Sequence, residues 1–500
     1  MTTNIHQQDW AAKWAIYSPD KIAFKEHATG RTLTYSELNK LANKLAFYFT
    51  EEHKIGKGDR IAVLAENCLE YIVLFSVAQK TGCILVPLNY RLAPSEISYL
   101  LNDSTPSIII FQSDFSDKIK NDESKLLPLN GLFDIYNNHD KIIKERNFPV
   151  TIVQENAPLF ILYTSGTTGF PKGAIYSHKM LFWNSINTAM SLVVNAESRT
   201  VNCMPPFHTG GWNVLLTPFF HHGGYTCIMK NFDAKTVLNL LEKEKPTIFM
   251  GVPTMLKMIA DEPAFANTDL SSLLYILVGG EPMPIPLIEK WHSKKVYIRQ
   301  GYGMTEVGPN LTSLHQNDAV RKKGSIGRPN FYVDIKIIRE NGQENQIGEP
   351  GELLLKGPMV TPGYWKNKNA TDLAIIDEWF YSGDVAVMDE EGYLYIVDRK
   401  KNMFISGGEN VFPAEVERII RTHENVSEVA IISVPDERWG EVGKAFIVCH
   451  DSESFMEEEI QSYCRKNMAS YKIPKYFQLI NELPKNDTGK INRAILAKSI

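Results

Sequence analysis

Apolar and polar positions follow two different periods along this chain. After T-Y-S-E at Thr34–Glu37, the residues Leu38, Leu41, Ala42, Leu45 and Phe49 recur at the spacing of one helix face. Thr34 followed by Glu37 has the form of a capping box, so the spacing predicts a helix starting there. G-D-R-I-A-V-L-A at 58–65 predicts a strand behind a turn, Glu70–Thr81 a helix, and Cys83–Pro87 a buried strand. That order predicts a parallel sheet with crossover helices. Similar apolar runs recur around 107–112, 159–164, 247–251 and 274–278. No fixed-period repeat and no low-complexity segment interrupts them.

The period changes after about residue 320. R-P-N-F-Y-V-D-I-K-I-I-R-E-N-G alternates apolar and polar positions up to Asn341-Gly342, a hairpin signal. G-E-L-L-L-K-G and E-G-Y-L-Y-I-V-D-R also predict strands, so this section is expected to be antiparallel and barrel-like. K-K-N-M-F-I-S-G-G-E-N then breaks the pattern. Beyond it, Pro413–His423 and Glu457–Met468 predict helices, and Val429–Val434 and Ala445–His450 predict strands. The expected fold is therefore α/β. A large N-terminal domain, 1–400, carries two parallel-sheet αβ subdomains and a small β-barrel. A small α+β domain, 401–500, follows, with the boundary near Lys401.

Composition narrows the function classes. The 500 residues are 44% hydrophobic and 22% charged, with a net charge of −5 and no long run of one sign. This argues against a nucleic-acid binder. R-K-K occurs at Arg321–Lys323 and Arg399–Lys401, and three basic residues more often make a solvated face than an interaction site. The N-terminus M-T-T-N-I-H-Q-Q-D-W lacks the apolar core of a signal peptide, no apolar run reaches the roughly 20 residues of a membrane span, and A-K-S-I is not the peroxisomal S-K-L. The six cysteines, at 68, 83, 203, 227, 449 and 464, show no metal spacing and are expected to be reduced core residues. A cytoplasmic location is expected.

The candidate chemistry starts at L-Y-T-S-G-T-T-G-F-P-K-G, 162–173. Glycines let backbone N–H groups converge, Thr164, Ser165, Thr167 and Thr168 add hydroxyls, and Lys172 adds a positive charge, which suits a polyphosphate. The loop is not a Walker A loop. Pro171 stands at the sixth position after Gly166 counted inclusively, and Gly173 follows Lys172 where Ser or Thr is needed. Pro171 also rejects a helical continuation, so the loop is expected to join two strands, Leu159–Thr164 and Gly173–Ser177. A polar surface loop is the plainer alternative.

Y-T-S-G-T-T-G-F-P-K-G resembles the signature loop of the adenylate-forming superfamily of acyl-CoA synthetases, adenylation domains and luciferases. Four further stretches resemble it in order: Q-G-Y-G-M-T-E (300–306), Y-S-G-D (381–384), D-R-K-K-N-M-F-I-S-G-G-E-N-V-F-P-A-E-V-E (398–417) and P-K-N-D-T-G-K-I-N-R (484–493). The match is nearest to bacterial fatty-acyl-CoA synthetases. The resemblance implies ATP-dependent activation of a carboxylic acid to acyl-AMP with release of pyrophosphate, then transfer to CoA, with Mg²⁺ as cofactor. Such chemistry brings an anion to an anionic phosphate, so it needs cations and aligned donors more than a base.

The resemblance also implies roles. Thr164, Ser165, Gly166, Thr167, Thr168, Gly169 and Lys172 would hold the phosphates, with Thr164 and Glu306 at the metal. Gly280, Glu281, Pro282, Gln300, Gly301, Tyr302, Gly303, Met304 and Thr305 would form the nucleotide pocket, with Tyr302 against the adenine. Asp384 would take the ribose hydroxyls and Arg399 would assist. Lys490 would bridge the carboxylate and the α-phosphate, and Glu306 and His208 complete the implied catalytic set. Lys401 matches the hinge about which the mobile small domain rotates, bringing Ser406, Gly407 and Gly408 to the CoA arm.

P-P-F-H-T-G-G-W-N at 205–213 matches the acid-binding segment. His208, Trp212, Gly279 and Met304, with Gly251, Val252, Pro253 and Thr254, would line the acyl site. An apolar lining is also what a core helix looks like. A medium- or long-chain fatty acid is the favoured substrate and an aryl acid the next. An enzyme loading an amino or aryl acid onto a carrier protein is the rival. The amino-acid enzymes usually carry aspartate where His208 stands, to pair with the substrate ammonium. Peripheral membrane contact and a homodimer are left open by the sequence.

Overall fold

The computed structural model describes residues 9–119, 125–132, 147–164, 171–280, 283–406, 409–451, 455–485 and 490–498. The chain divides into two compact units, one of Met1–Ile335 with Leu355–Phe380, the other of Lys336–Leu354 with Tyr381–Ile500. Lys401 lies within the second.

The first unit begins with the predicted helix. It runs Tyr35–Glu51, and both halves of its capping box form: Glu37 N–H donates to Thr34 Oγ1 at 3.2 Å and Thr34 N–H to Glu37 Oε2 at 2.8 Å. The helix Leu69–Thr81 is buried on every side, as an apolar run without an amphipathic stripe requires. Around these lies a six-stranded sheet in the order Lys125–Pro128, Ile108–Phe111, Arg60–Leu64, Ile84–Pro87, Pro158–Thr164, Lys172–Ser177. Its neighbours pair in parallel, as the strand–helix–strand pattern predicts, up to the last two strands, which are antiparallel.

Two further sheets lie wholly within this unit. Thr32–Thr34, Ile22–Glu26, Tyr225–Ile228 and Arg199–Asn202 form one; Ile248–Gly251, Tyr275–Val278, Tyr297–Met304, Gly308–Ser313 and Arg328–Pro329 form the other. The second is parallel through Tyr297–Met304 and antiparallel after it. Both large sheets thus change direction at a hairpin, and each hairpin carries a candidate motif. The largest apolar core packs Trp10, Phe24, Tyr35, Phe75, Phe160 and Trp212.

The second unit contains the turn expected at Asn341-Gly342. Gly342 has φ +81°, and Arg339 N–H donates to Gln343 O at 2.8 Å. Its main sheet runs Glu409–Val411, Phe404–Ser406, Gly440–Cys449, Val426–Asp436, with Tyr476–Leu479 parallel on the far side of Gly440–Cys449. The two expected strands are longer than the sequence indicates, because they form one continuous antiparallel hairpin from Val426 to Cys449. Helices Pro413–Ile420 and Glu457–Asn467 pack on it. All six cysteines are free thiols, four of them buried. Among the described residues no helix is long and apolar enough to cross a membrane.

Candidate active site

The strands on either side of residues 165–170 form a hairpin. Pro158–Thr164 and Lys172–Ser177 pair antiparallel with Thr164 opposite Lys172, so the hydroxyl and the ammonium bracket its base. This is the strand-to-strand connection that Pro171 predicts. Ser165, Gly166, Thr167, Thr168 and Gly169 lie outside the described residues.

Glu306 sits on the second hairpin, in the short turn Thr305–Val307 between Tyr297–Met304 and Gly308–Ser313. There Gly303 is required: a Cβ on it would lie 2.3 Å from the Pro309 carbonyl. Glu306 Oε1 accepts from Thr164 Oγ1 at 3.2 Å, so residues 142 apart in sequence meet. It also accepts from Tyr364 O–H at 3.1 Å. Burial, and then the Glu306 charge, push the Tyr364 hydroxyl well above the usual tyrosine value, which leaves it a protonated donor at neutral pH.

Tyr364 belongs to T-P-G-Y-W, 361–365, which lies outside all the motifs quoted above. The backbone of this segment ties both hairpins together. Thr361 N–H donates to Glu306 O at 2.7 Å, Trp365 N–H to Gly173 O at 2.7 Å, and Ile175 N–H to Gly363 O at 3.1 Å. Thr361 Oγ1 adds a bond to Ile175 O at 2.7 Å. The Lys172 ammonium stands 5.6 Å from the centre of the Tyr364 ring. The usable signal was a Gly-Tyr-Trp run between two strand patterns, G-E-L-L-L-K-G and E-G-Y-L-Y-I-V-D-R.

Gln300 is a scaffold residue in this structure. It is buried, its Oε1 accepts from Met283 N–H at 2.8 Å and its amide donates to Ser325 O at 3.1 Å. Gly301, Tyr302, Gly303, Met304 and Thr305 follow it with partly exposed surfaces. Gly279 and Gly280 follow the neighbouring parallel strand, where Val278 pairs with Gln300. Glu281 and Pro282 lie outside the described residues.

The acid segment is built around a tight turn. His208 precedes the short helix Thr209–Asn213, and its ring lies 4.6 Å from that of Phe207. A Cβ on Gly211 would stand 2.2 Å from Pro205 O, so only glycine lets the segment fold back this closely. Trp212 is 1% exposed, packs with Tyr71, Phe75 and Phe160, and donates its indole N–H to Pro206 O at 2.6 Å. It supports the segment from the core side; it does not face an open wall. Buried asparagines brace the far end, with Asn184 donating to Asn213 O at 2.7 Å and Asn310 to Val214 O at 3.0 Å. Val252, Pro253 and Thr254 start the helix after Ile248–Gly251.

In the second unit, Asp384 and Arg399 are cross-strand neighbours, and Arg399 Nε lies 2.6 Å from Asp384 Oδ1. Asp398, which the sequence analysis did not single out, is buried and accepts from Asn402 Nδ2 at 3.0 Å and from Ala414 N–H at 2.6 Å. It fixes the turn Lys400–Asn402, on which Lys401 is exposed, against the helix Pro413–Ile420. Ser406 is buried; Gly407 and Gly408 lie outside the described residues. Lys490 is exposed, just inside the bridge between Lys485 and Ile491. Three residues further on, Arg493 grips Glu417 through both carboxylate oxygens, at 2.7 and 2.9 Å.

Residues 11–365 match the AMP-binding enzyme family, and residues 415–490 match the AMP-binding enzyme C-terminal domain. The chain belongs to the AMP-binding enzyme family. It is 37% identical over 487 residues to the long-chain-fatty-acid–CoA ligase FadD13 of Mycobacterium tuberculosis, with 96% of each chain covered. It is 35% identical over 482 residues to a feruloyl-CoA synthase of an Amycolatopsis species, again with 96% of each covered. Among solved structures it is similar to the o-succinylbenzoate CoA synthetase MenE of Bacillus subtilis in complex with ATP and magnesium ion. The TM-score is 0.86 at 30% identity, over 98% of this chain and 99% of that one. In class, this AMP-binding enzyme is an acid–CoA ligase. The relatives' names carry three different acyl groups, so the acid has to be argued separately.

Proposed function

We propose that this AMP-binding enzyme uses ATP to activate an apolar carboxylic acid, with a medium- or long-chain fatty acid favoured, and passes the acyl group to CoA. A carboxylate oxygen attacks the α-phosphorus, the bond to the bridging oxygen breaks and pyrophosphate leaves. The CoA sulfur then attacks the acyl carbon and AMP leaves. The observation that carries this reading is the Thr164–Glu306 hydrogen bond, which sets a carboxylate against the base of the phosphate hairpin.

Magnesium fits these side chains. Among the described residues no three His, Cys, Asp or Glu gather into a protein-only metal cage. One carboxylate with hydroxyl oxygens suits an ion that fills its shell with water and phosphate oxygens. Thr164 and Glu306 would hold it, and it would supply charge neutralisation at the phosphates. Lys172 would bind the phosphates from the opposite strand. Tyr302 would lie on the adenine, and Asp384, with Arg399, would take the ribose. Lys490 would offset the charge developing between carboxylate and α-phosphate. His208 would stand near the carboxylate. Lys401 would be the hinge, and Ser406, Gly407 and Gly408 would face the CoA arm.

An alkyl chain is the first reading, supported by the likeness to the long-chain-fatty-acid–CoA ligase FadD13. An aryl acid is the second reading, supported by the feruloyl-CoA synthase likeness. Pyrophosphate release against a panel of fatty and aryl acids, with and without CoA, tests both. We expect release that requires an acid, is fastest with medium- or long-chain fatty acids, and turns over only with CoA. Preference for aryl acids would move the substrate to the second reading. Absence of acid-dependent release would sink the account.

A further inference from the structure

Tyr364 touches two groups of opposite charge. Its hydroxyl donates to Glu306 Oε1 at 3.1 Å, and its ring carries the Lys172 ammonium at 5.6 Å from the centroid. Both groups bracket the phosphate hairpin, Lys172 as its second base residue and Glu306 through Thr164. An ammonium and a carboxylate on neighbouring turns would ordinarily seek each other, and a site that binds both a metal and a polyphosphate loses its charges if they do. Here each is held by a different part of one side chain, the anion by the O–H edge and the cation by the negative face of the ring.

The tyrosine is itself rigidly placed. It bridges Ala174 on the hairpin's second strand, and its own N–H donates to Thr371 Oγ1 at 2.9 Å. The flanking Thr361 and Trp365 are hydrogen-bonded to the backbone of Glu306 and Gly173, one on each hairpin. The 361–365 segment therefore sets the spacing between the two hairpins, and Tyr364 is its one side chain shown to reach both charged groups.

Resting on the reading above, we propose that Tyr364 is a positioning residue for MgATP: its hydroxyl aims the Glu306 carboxylate at the metal, and its ring keeps Lys172 turned to the phosphates and unneutralised by that carboxylate. The two functions are separable by substitution. Tyr364→Phe keeps the ring and removes the hydroxyl. Tyr364→Leu removes both.

The experiment is calorimetric titration of the full chain without acid or CoA, once with ATP at saturating Mg²⁺ and once with Mg²⁺ at fixed ATP. Thermal melting of the unliganded proteins runs beside it. For Tyr364→Phe we expect the Mg²⁺ half-saturation to rise about tenfold or more, as loss of a hydrogen bond to a charged group implies. Its ATP affinity at saturating Mg²⁺ should stay within about twofold. For Tyr364→Leu we expect the same Mg²⁺ defect plus a roughly two- to fivefold loss of ATP affinity, the size of a cation–π contact. Unchanged Mg²⁺ half-saturation in Tyr364→Phe overturns the proposal. So do equal losses toward both ligands in both variants that track their melting temperatures, since that is the mark of a packing role. If the unsubstituted protein binds no MgATP, the functional reading fails first and takes this proposal with it.

Discussion

Arg399 Nε lies 2.6 Å from Asp384 Oδ1 across a pair of antiparallel strands, and the aspartate side chain is 4% exposed against 48% for the arginine. A carboxyl group this deeply placed depends on charged and polar partners to offset its loss of water. The half-exposed guanidinium covers it on one side. The pair is thus a buried carboxyl group with a cation at its rim.

This arrangement predicts how the proposed ribose contact should respond. Asp384→Ala is expected to weaken ATP binding by about 10- to 100-fold, the loss of hydrogen bonds to a charged acceptor. The measurement is ATP affinity by calorimetry or fluorescence titration. Unchanged affinity would remove Asp384 from the nucleotide site.

The Arg493–Glu417 pair gives a prediction about pH. Burial pushes the Glu417 carboxyl above the usual range, with Arg493 and the Ile431 N–H pulling against it. A carboxyl whose folded pKa lies above its unfolded value favours the folded state at low pH, and that contribution is lost as pH rises through the folded pKa. Arg493→Ala removes the compensating cation, so the folded pKa rises further. The variant should lose about 3–5 kcal/mol at pH ~8, where a buried charge is left unpaired. It should lose clearly less at pH ~5, where the carboxyl can take up a proton. Denaturant unfolding at the two pH values checks this, and an equal loss at both would contradict it.

Part of the fold was legible in the sequence because it was encoded locally. The capping box at Thr34 and Glu37, the turn at Asn341-Gly342 and the strand-to-strand phosphate loop signalled by Pro171 all depend on residues within a few positions of each other. Tyr364 was not legible. Its meaning comes from partners 58 residues away at Glu306 and further still at Lys172, and no local period records them. Asp398 and Arg493 were hidden in another way. They lie inside quoted motifs, but their hydrogen bonds to Ala414 and Glu417 exist only once the second unit has folded. Trp212 shows the opposite effect. An aromatic beside an acid-binding segment suggested a pocket wall, and the packing of Phe75 and Phe160 around it makes it core. The antiparallel end of the second large sheet, at Gly308–Ser313, was also out of reach, because an apolar strand looks the same whichever way its neighbour runs.

The central claim is that two chemical steps share one chain and that Lys490 serves only the first. Lys490 stands exposed inside the Lys485–Ile491 bridge. The decisive measurement is the rate of each half-reaction in Lys490→Ala: acid-dependent pyrophosphate release from ATP, and acyl-CoA formation from supplied acyl-AMP. The account predicts that the first falls by about a hundredfold or more, as expected for a group that stabilises transition-state charge, while the second stays within a few-fold of the unsubstituted enzyme. Equal loss of both steps, or an intact first step, would contradict it.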